Sequence, residues 1–413
     1  MYLQTHRKRK FEAILFGLAL AVAVPATHAA SAPAATVPAT AAATSAPINL
    51  YSEIAAGHFS PAVEGALPRI YVPNHTSGDV SVIDPAKMKV VDTFKVGVNP
   101  QHVVPSWDLK TLWVANNSEG SAAGSLTPID PKTGKPGKAI VVDDPYNMYF
   151  TPDGRSAIVV AESRRRLDFR DPHTMELKES IATPDCGGIN HADFSIDAKY
   201  ALFTCEFNGS LVKIDLVNRK VVGYLKLSKR DVPKAALPSP DGKSAQICSS
   251  TSGMPQDIRI GPTGKVWYIA DMEADGVFLV DGDSFTQTGF IPTGIGAHGL
   301  YPSRDGTKLY VANRGSKKIH GKKHGKGSLA VIDFASNKVQ SFWPIPGGGS
   351  PDMGNVTADG KYIWLSGRFD NVVYRINTSN GKTRKIAVGK EPHGLAVWPQ
   401  PGRYSLGHTG NLR

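Results

Sequence analysis

The chain has 413 residues, 47 Lys and Arg against 36 Asp and Glu, a formal charge of +11 and three cysteines. The cysteines form no Cys-x-x-Cys-His and no Cys-x-x-Cys, which excludes covalently attached c-type haem and leaves thiol redox exchange without a motif. About +8 of the charge remains once the first thirty residues and their +3 are set aside, and it reads first as a solubility charge, with an anionic surface or nucleic acid as the partner it would otherwise favour.

Residues 6–10 are basic, residues 13–24 form an apolar run too short to span a bilayer, and residues 26–30 are small apart from His28. This is the pattern of a secretory signal peptide over residues 1–30, cut near Ala29 or Ala30, so the expected location is periplasmic or secreted. No cysteine follows the apolar run, which leaves no lipoprotein anchor. Residues 31–67 begin as an Ala/Pro/Ser/Thr tract with no apolar period and are expected to be a leader or linker.

From residue 68 a phrase of about forty residues returns. An apolar run leads to an Asp-Gly turn, then to a Tyr-Val-Ala-Asn strand, then to a Val-x-Val-Ile-Asp strand and a Val-rich fourth strand. It stands as Ile70-Tyr-Val-Pro-Asn74 with Val80-Ser-Val-Ile-Asp84, as Leu112-Trp-Val-Ala-Asn116 with Leu126-Thr-Pro-Ile-Asp130, and as Leu309-Tyr-Val-Ala-Asn313 with Leu329-Ala-Val-Ile-Asp333. Alternating β-branched and aromatic residues between Gly, Asp and Asn turns at this period predict four-stranded propeller blades.

Units begin near Pro100, Asp144, Gly187, Pro255, Ala297, Pro351 and Pro392, which makes seven. The last unit supplies only a first strand, and residues 70–96 supply the other three. Joining them predicts an all-β, seven-bladed ring over residues 68–413, closed by pairing of N- and C-terminal strands so that no sheet edge is left open. Residues 228–253 imitate a first strand and turn but no third and fourth strands follow, so they are read as an insertion rather than an eighth blade; residues 315–327 are a second insertion.

These repeats resemble the bacterial YVTN-repeat, or YncE-like, β-propellers, a group of exported proteins, over nearly all of residues 68–398. The resemblance implies the fold and leaves the function open, because propellers host binding modules, scaffolds and several enzyme types. Seven-bladed rings also occur in nitrous oxide reductase and the haem-d nitrite reductases, and no motif here assigns the chain to either.

The residues that open the first strands gather at the channel mouth: His102, Asn147, His191, Asp257, His298, Asp352 and His393. They can cap their own blades, hold an organic ligand, or bind copper, zinc or iron, with His102, His191, His298 and His393 as the metal-ligand set and His393 and His102 as the closest pair. The second-strand ends add Glu162, Glu206, Arg314 and Arg368; the two arginines form an anion fork or pair with Asp352 and Asp370. His75 stands beside the blade that carries His393.

Cys186 and Cys205 are read as a disulfide or as two buried thiols in preference to metal ligands, with Cys248 as the third candidate for pairing. Residues 317–326 hold five lysines and two histidines, His320 and His324, in what is read as a solvated loop. No Gly-x-Ser-x-Gly, His-Glu-x-x-His or Walker loop occurs, so no catalytic residues are assigned. The expectation is an exported, monomeric binding or scaffold protein with a small ligand or protein partner at the mouth, its ligand-binding set being His102, His191, Asp257, His298, Arg314, Asp352, Arg368 and His393. A metal-binding propeller, as oxidoreductase or metal carrier, is the alternative, and an anionic-surface or nucleic-acid binder is the third reading.

Overall fold

The computed structural model describes residues 49–119, 121, 123–229, 253–320, 326–408 and 410–413. The expected signal peptide, most of the first insertion with Cys248, and residues 321–325 of the second lie outside the described residues.

Each phrase of the repeat has a local reason to fold as it does. In the Asp-Gly turns the carboxylate gathers nearby donors: Asp153 Oδ1 accepts from Thr151 Oγ1 at 2.6 Å and from Arg155 N at 3.1 Å. Gly154 supplies the left-handed residue of that turn at φ +69°. The Asn that ends a second strand bonds the hydroxyl facing it on the third strand, as Asn116 Nδ2 to Ser125 Oγ at 3.1 Å and Asn313 Nδ2 to Ser328 Oγ at 3.1 Å. The Asp that ends a third strand turns the chain by accepting backbone N–H groups, as Asp84 Oδ1 does from Ala86 at 3.0 Å and Lys87 at 3.1 Å.

The strands assemble into seven antiparallel blades. Six are plain four-stranded sheets; in the seventh the outer strand is split into Lys135–Pro136 and Ile140–Val141, because Pro136 has no N–H for the ladder. Ring closure is as expected. The strand Ala396–Trp398 pairs antiparallel with Arg69–Asn74 in the register Arg69↔Trp398, Ile70↔Val397 and Tyr71↔Ala396, and His393 N donates to Pro73 O at 3.0 Å. Apolar layers fill the spaces between blades, with Trp267, Trp364 and Trp398 each less than 3% exposed.

The first described residues, from 49 onward, and the C-terminal tail pack at the end of the inner strands opposite the mouth. The described part of the expected leader, residues 49–67, forms two short 3-10 turns, Ser52–Ile54 and Pro61–Val63, and buries Tyr51, Ile54 and Val63. After Trp398 the C-terminal tail turns back into the channel: Gly407 pairs with Tyr149, Phe150 N donates to Leu406 O at 3.0 Å, and His408 N donates to Met148 O at 3.0 Å. Asn411 and Arg413 then both donate to Asp193 Oδ1 at 2.9 Å.

Candidate functional site

The inner strands Pro100–Pro105, Pro145–Phe150, Ile189–Phe194, Pro255–Ile260, Ala297–Pro302 and Pro351–Val356 enter the channel in a common register, each starting opposite the end of its neighbouring strand. Pro392, bridged to Asn74, opens the seventh position in the same way. Counting from these starts, the residues expected in one ring fall in two tiers. His298, Asp352 and His393 lie one residue in, level with Gln101, Tyr146, Asn190 and Gln256. His102, Asn147, His191 and Asp257 lie two residues in, level with Gly299, Met353 and Gly394. All of the expected ring residues are 2% exposed or less. The paired inner strands share a bulge near their starts, so the offset comes from where the polar residue stands in each unit, one or two residues after the strand start, and it can be counted only once those starts are fixed.

In the upper tier Asp352 is the hub. Its Oδ1 accepts from Arg314 Nη2 at 2.7 Å and lies 2.9 Å from His298 Nδ1, and its Oδ2 lies 2.8 Å from His393 Nδ1. Burial opposes the Asp352 charge, but Arg314, His298 and His393 outweigh it and hold the carboxyl well below its usual range. Burial and Arg314 push His298 down to about 4. His298 Nε2 accepts from Arg314 at 2.5 Å, so this imidazole is engaged on both sides.

Arg368 differs from Arg314. It is 2% exposed, its Nε donates to Ile319 O at 3.2 Å, and its Nη1 has no partner among the described residues. Asp370, its alternative carboxylate partner in sequence, is instead bonded by Ser350 and Tyr374. Burial lowers the guanidinium's pKa. The two arginines are therefore not an equivalent fork: one is neutralised and one presents an unsatisfied N–H.

Above this tier opens a cavity of about 590 Å³ lined by Tyr146, Glu162, Glu206, Arg314, Arg368 and His393, among others. Burial raises the pKa of both Glu162 and Glu206, which favours the protonated acids as O–H donors. The second insertion walls the cavity with Ile319 and His320. Its described part is tied to the ring rather than free: Lys317 Nζ lies 3.1 Å from Asp275 Oδ2, and His320 Nδ1 lies 3.8 Å from Glu391 Oε1. His75 joins that rim, with Nε2 2.9 Å from Glu119 Oε1.

In the lower tier the tail brings in a residue that the repeats do not announce. His408 Nδ1 lies 2.9 Å from Asn147 Nδ2, and its ring centroid is 4.6 Å from that of His191 and 5.3 Å from that of His102. The centroids of His102 and His393, from neighbouring blades, are 4.8 Å apart. The structure thus divides the four expected metal ligands: His298 and His393 flank Asp352, while His102 and His191 adjoin His408. Nothing in the local spacing around His408 marks it, since it lies past the last repeat.

Cys186 and Cys205 form a disulfide with Cα atoms 4.9 Å apart. The pair is bonded and supplies no thiolate ligand.

A closed ring of seven four-stranded blades with a polar channel mouth defines a seven-bladed β-propeller. Residues 243–401 match the family model described as YNCE-like beta-propeller, and the chain as a whole folds as a seven-bladed β-propeller. Comparison with curated protein sequences finds no match. Among solved structures the chain is similar to hydrazine synthase of Kuenenia stuttgartiensis, at 18% identity and a TM-score of 0.58 over 84% of this chain and 99% of that one. It is also similar to a putative 6-phosphogluconolactonase from Bacteroides uniformis, at 17% identity and a TM-score of 0.58 over 80% and 99% of the two chains. Dihydro-heme d1 dehydrogenase NirN aligns at 13% identity with a TM-score of 0.55 over 82% of this chain and 76% of that one. At these identities the likeness is one of fold alone.

Proposed function

We propose that the protein is an exported binding module that holds a small organic anion, a carboxylate or phosphate monoester, in the channel-mouth cavity. The observation that carries this reading is Arg368, a buried guanidinium with an unpartnered Nη1 in the wall of a cavity of about 590 Å³. A buried donor left unsatisfied is costly, and a guanidinium pairs best with a planar carboxylate or a phosphate. The cavity volume suits a small ligand. Tyr146 offers a hydroxyl donor for the ligand's remaining oxygens, and the burial that pushes the Glu162 and Glu206 carboxyls up weakens their charge beside an anion. Export is supported by the basic, apolar and small-residue segments of the first thirty residues and by the Cys186–Cys205 bond, which persists best in an oxidising compartment.

Calorimetric titration with a panel of small carboxylates and phosphate monoesters tests the reading. At least one member is expected to bind the wild-type chain, and Arg368→Gln is expected to weaken it about tenfold to a hundredfold through loss of a charge-assisted hydrogen bond. No binding by any member, or equal binding by the variant, would overturn it.

A further inference from the structure

We propose that His102, His191 and His408 form a transition-metal site, one tier below the mouth cavity, whose third ligand is delivered by the C-terminal tail, so that ion capture and tail docking are coupled. The site does not line the mouth cavity, and neither proposal rests on the other.

Three ring nitrogens of the channel have no hydrogen-bond partner among the described residues. His102 is 0% exposed and both its Nδ1 and its Nε2 lack a partner; Nε2 of His191, also fully buried, lacks one too. Buried polar atoms are normally satisfied, and an unexplained group of them marks the place of an ion or water. One ring nitrogen from each of His102, His191 and His408 lies within 4.8 Å of the others. Ring rotation that draws these atoms together by about an ångström would reach zinc–nitrogen bonds of about 2.0–2.1 Å.

The surroundings favour a ligand role. Burial holds the pKa of His102, His191 and His408 down, so all three present neutral imidazole, the form that donates a lone pair. Both ring nitrogens of His408 have neighbours, Asn147 Nδ2 at 2.9 Å from Nδ1 and Asp257 Oδ1 at 3.5 Å from Nε2, so an ion would take the place of the Asn147 contact while Asp257 supports the other nitrogen. A carboxylate behind a histidine is the usual support for a metal ligand. Gly394 clears the space for His102, because a Cβ there would overlap the imidazole. His298 and His393 fall outside the set because their ring nitrogens are not among those that lie within 4.8 Å of one another. An all-imidazole set without thiolate suits zinc, cobalt or copper in the divalent state and disfavours magnesium and calcium.

The tail supplies both the ligand and a route for the ion. His102 and His191 belong to the permanent ring, whereas His408 is placed by the docked tail, through Gly407 to Tyr149, His408 N to Met148 O, Leu406 to Phe150, Asn411 and Arg413 to Asp193, and the buried side chains of Leu406 and Leu412. Lifting residues 403–413 uncovers two ligands and removes the third. Redocking over the ion closes a site that is otherwise sealed.

The test uses the full chain as exported, without a histidine tag, stripped by chelator and titrated with cobalt(II) and zinc(II). One equivalent of cobalt is expected to bind with the visible absorption of a low-coordinate imidazole complex. Zinc is expected to raise Tm and to slow removal of the C-terminal residues by a serine carboxypeptidase. His408→Ala and His191→Ala should lose the cobalt spectrum and the zinc-dependent Tm shift, while the rim double variant His75→Ala/His320→Ala should keep both. If the channel variants do not fold, the position of anomalous scattering in zinc-soaked wild-type crystals decides: a peak among the three imidazoles supports the site, and its absence overturns it. No stoichiometric cobalt binding by the wild type, or cobalt binding that survives His408→Ala and is lost in the rim variant, would also overturn it. Zinc binding without protection of the tail would overturn the coupling.

Discussion

Asp352 Oδ2 lies 2.8 Å from His393 Nδ1, and this contact joins the last complete blade to the segment that closes the ring. The carboxylate also neutralises Arg314, so three buried cationic or titratable groups depend on one anion. Asp352→Ala leaves Arg314 buried and unpaired and is expected to cost about 3–5 kcal/mol. Urea denaturation of the variant measures the loss, and a change below about 1 kcal/mol would show that the network is solvated.

Acid should destabilise the metal-free protein before its carboxylates titrate. His298 has an unfolded-state pKa near 6.5 and a folded value of about 4. Above 6.5 both states are neutral and its contribution is complete. As the pH falls from 6.5 toward 4 the unfolded state takes up a proton that the native state refuses, so stability is lost at about 1.4 kcal/mol per pH unit for each such group. His102, His191, His393 and His408 shift in the same direction. Denaturation midpoints measured from pH 7 to 4 should fall throughout; a flat profile would mean that these imidazoles are hydrated.

The Cys186–Cys205 disulfide closes a loop with a sequence separation of 19. Chain-entropy reasoning gives such a loop about 3 kcal/mol of stabilisation. The double variant Cys186→Ala/Cys205→Ala should therefore unfold at lower urea with unchanged β content by circular dichroism. Unchanged stability would place the effect in native-state strain instead.

Deleting residues 392–413 and deleting residues 403–413 should have different outcomes. The longer deletion removes Ala396–Trp398 and leaves the inner edge of Arg69–Asn74 open, so an aggregating or unfolded product is expected in size-exclusion chromatography. The shorter one keeps the closing strand and removes the bonds of Asn411 and Arg413 to Asp193. It should yield a folded ring of lower Tm. A folded, monomeric product of the longer deletion would show that six blades and a three-stranded remnant suffice.

The repeat by itself determined the seven blades, their strand order and the closure of the ring by residues 395–397 on the strand that begins near Ile70, because blade formation is local: each turn, strand and Asx bond is encoded within about forty residues, and each blade packs on its neighbours. It also determined which residues open the inner strands, including His102, Asp257, His298, Asp352 and His393. What only the tertiary structure decided is how those residues divide. Asp352 gathers Arg314, His298 and His393 while Asp257 pairs with Arg259, and Arg368, unlike Arg314, makes no direct ion pair among the described residues. The return of the tail places His408 beside His191, across more than two hundred residues of chain. Such contacts depend on the path of the whole chain around the ring, and no periodicity records them.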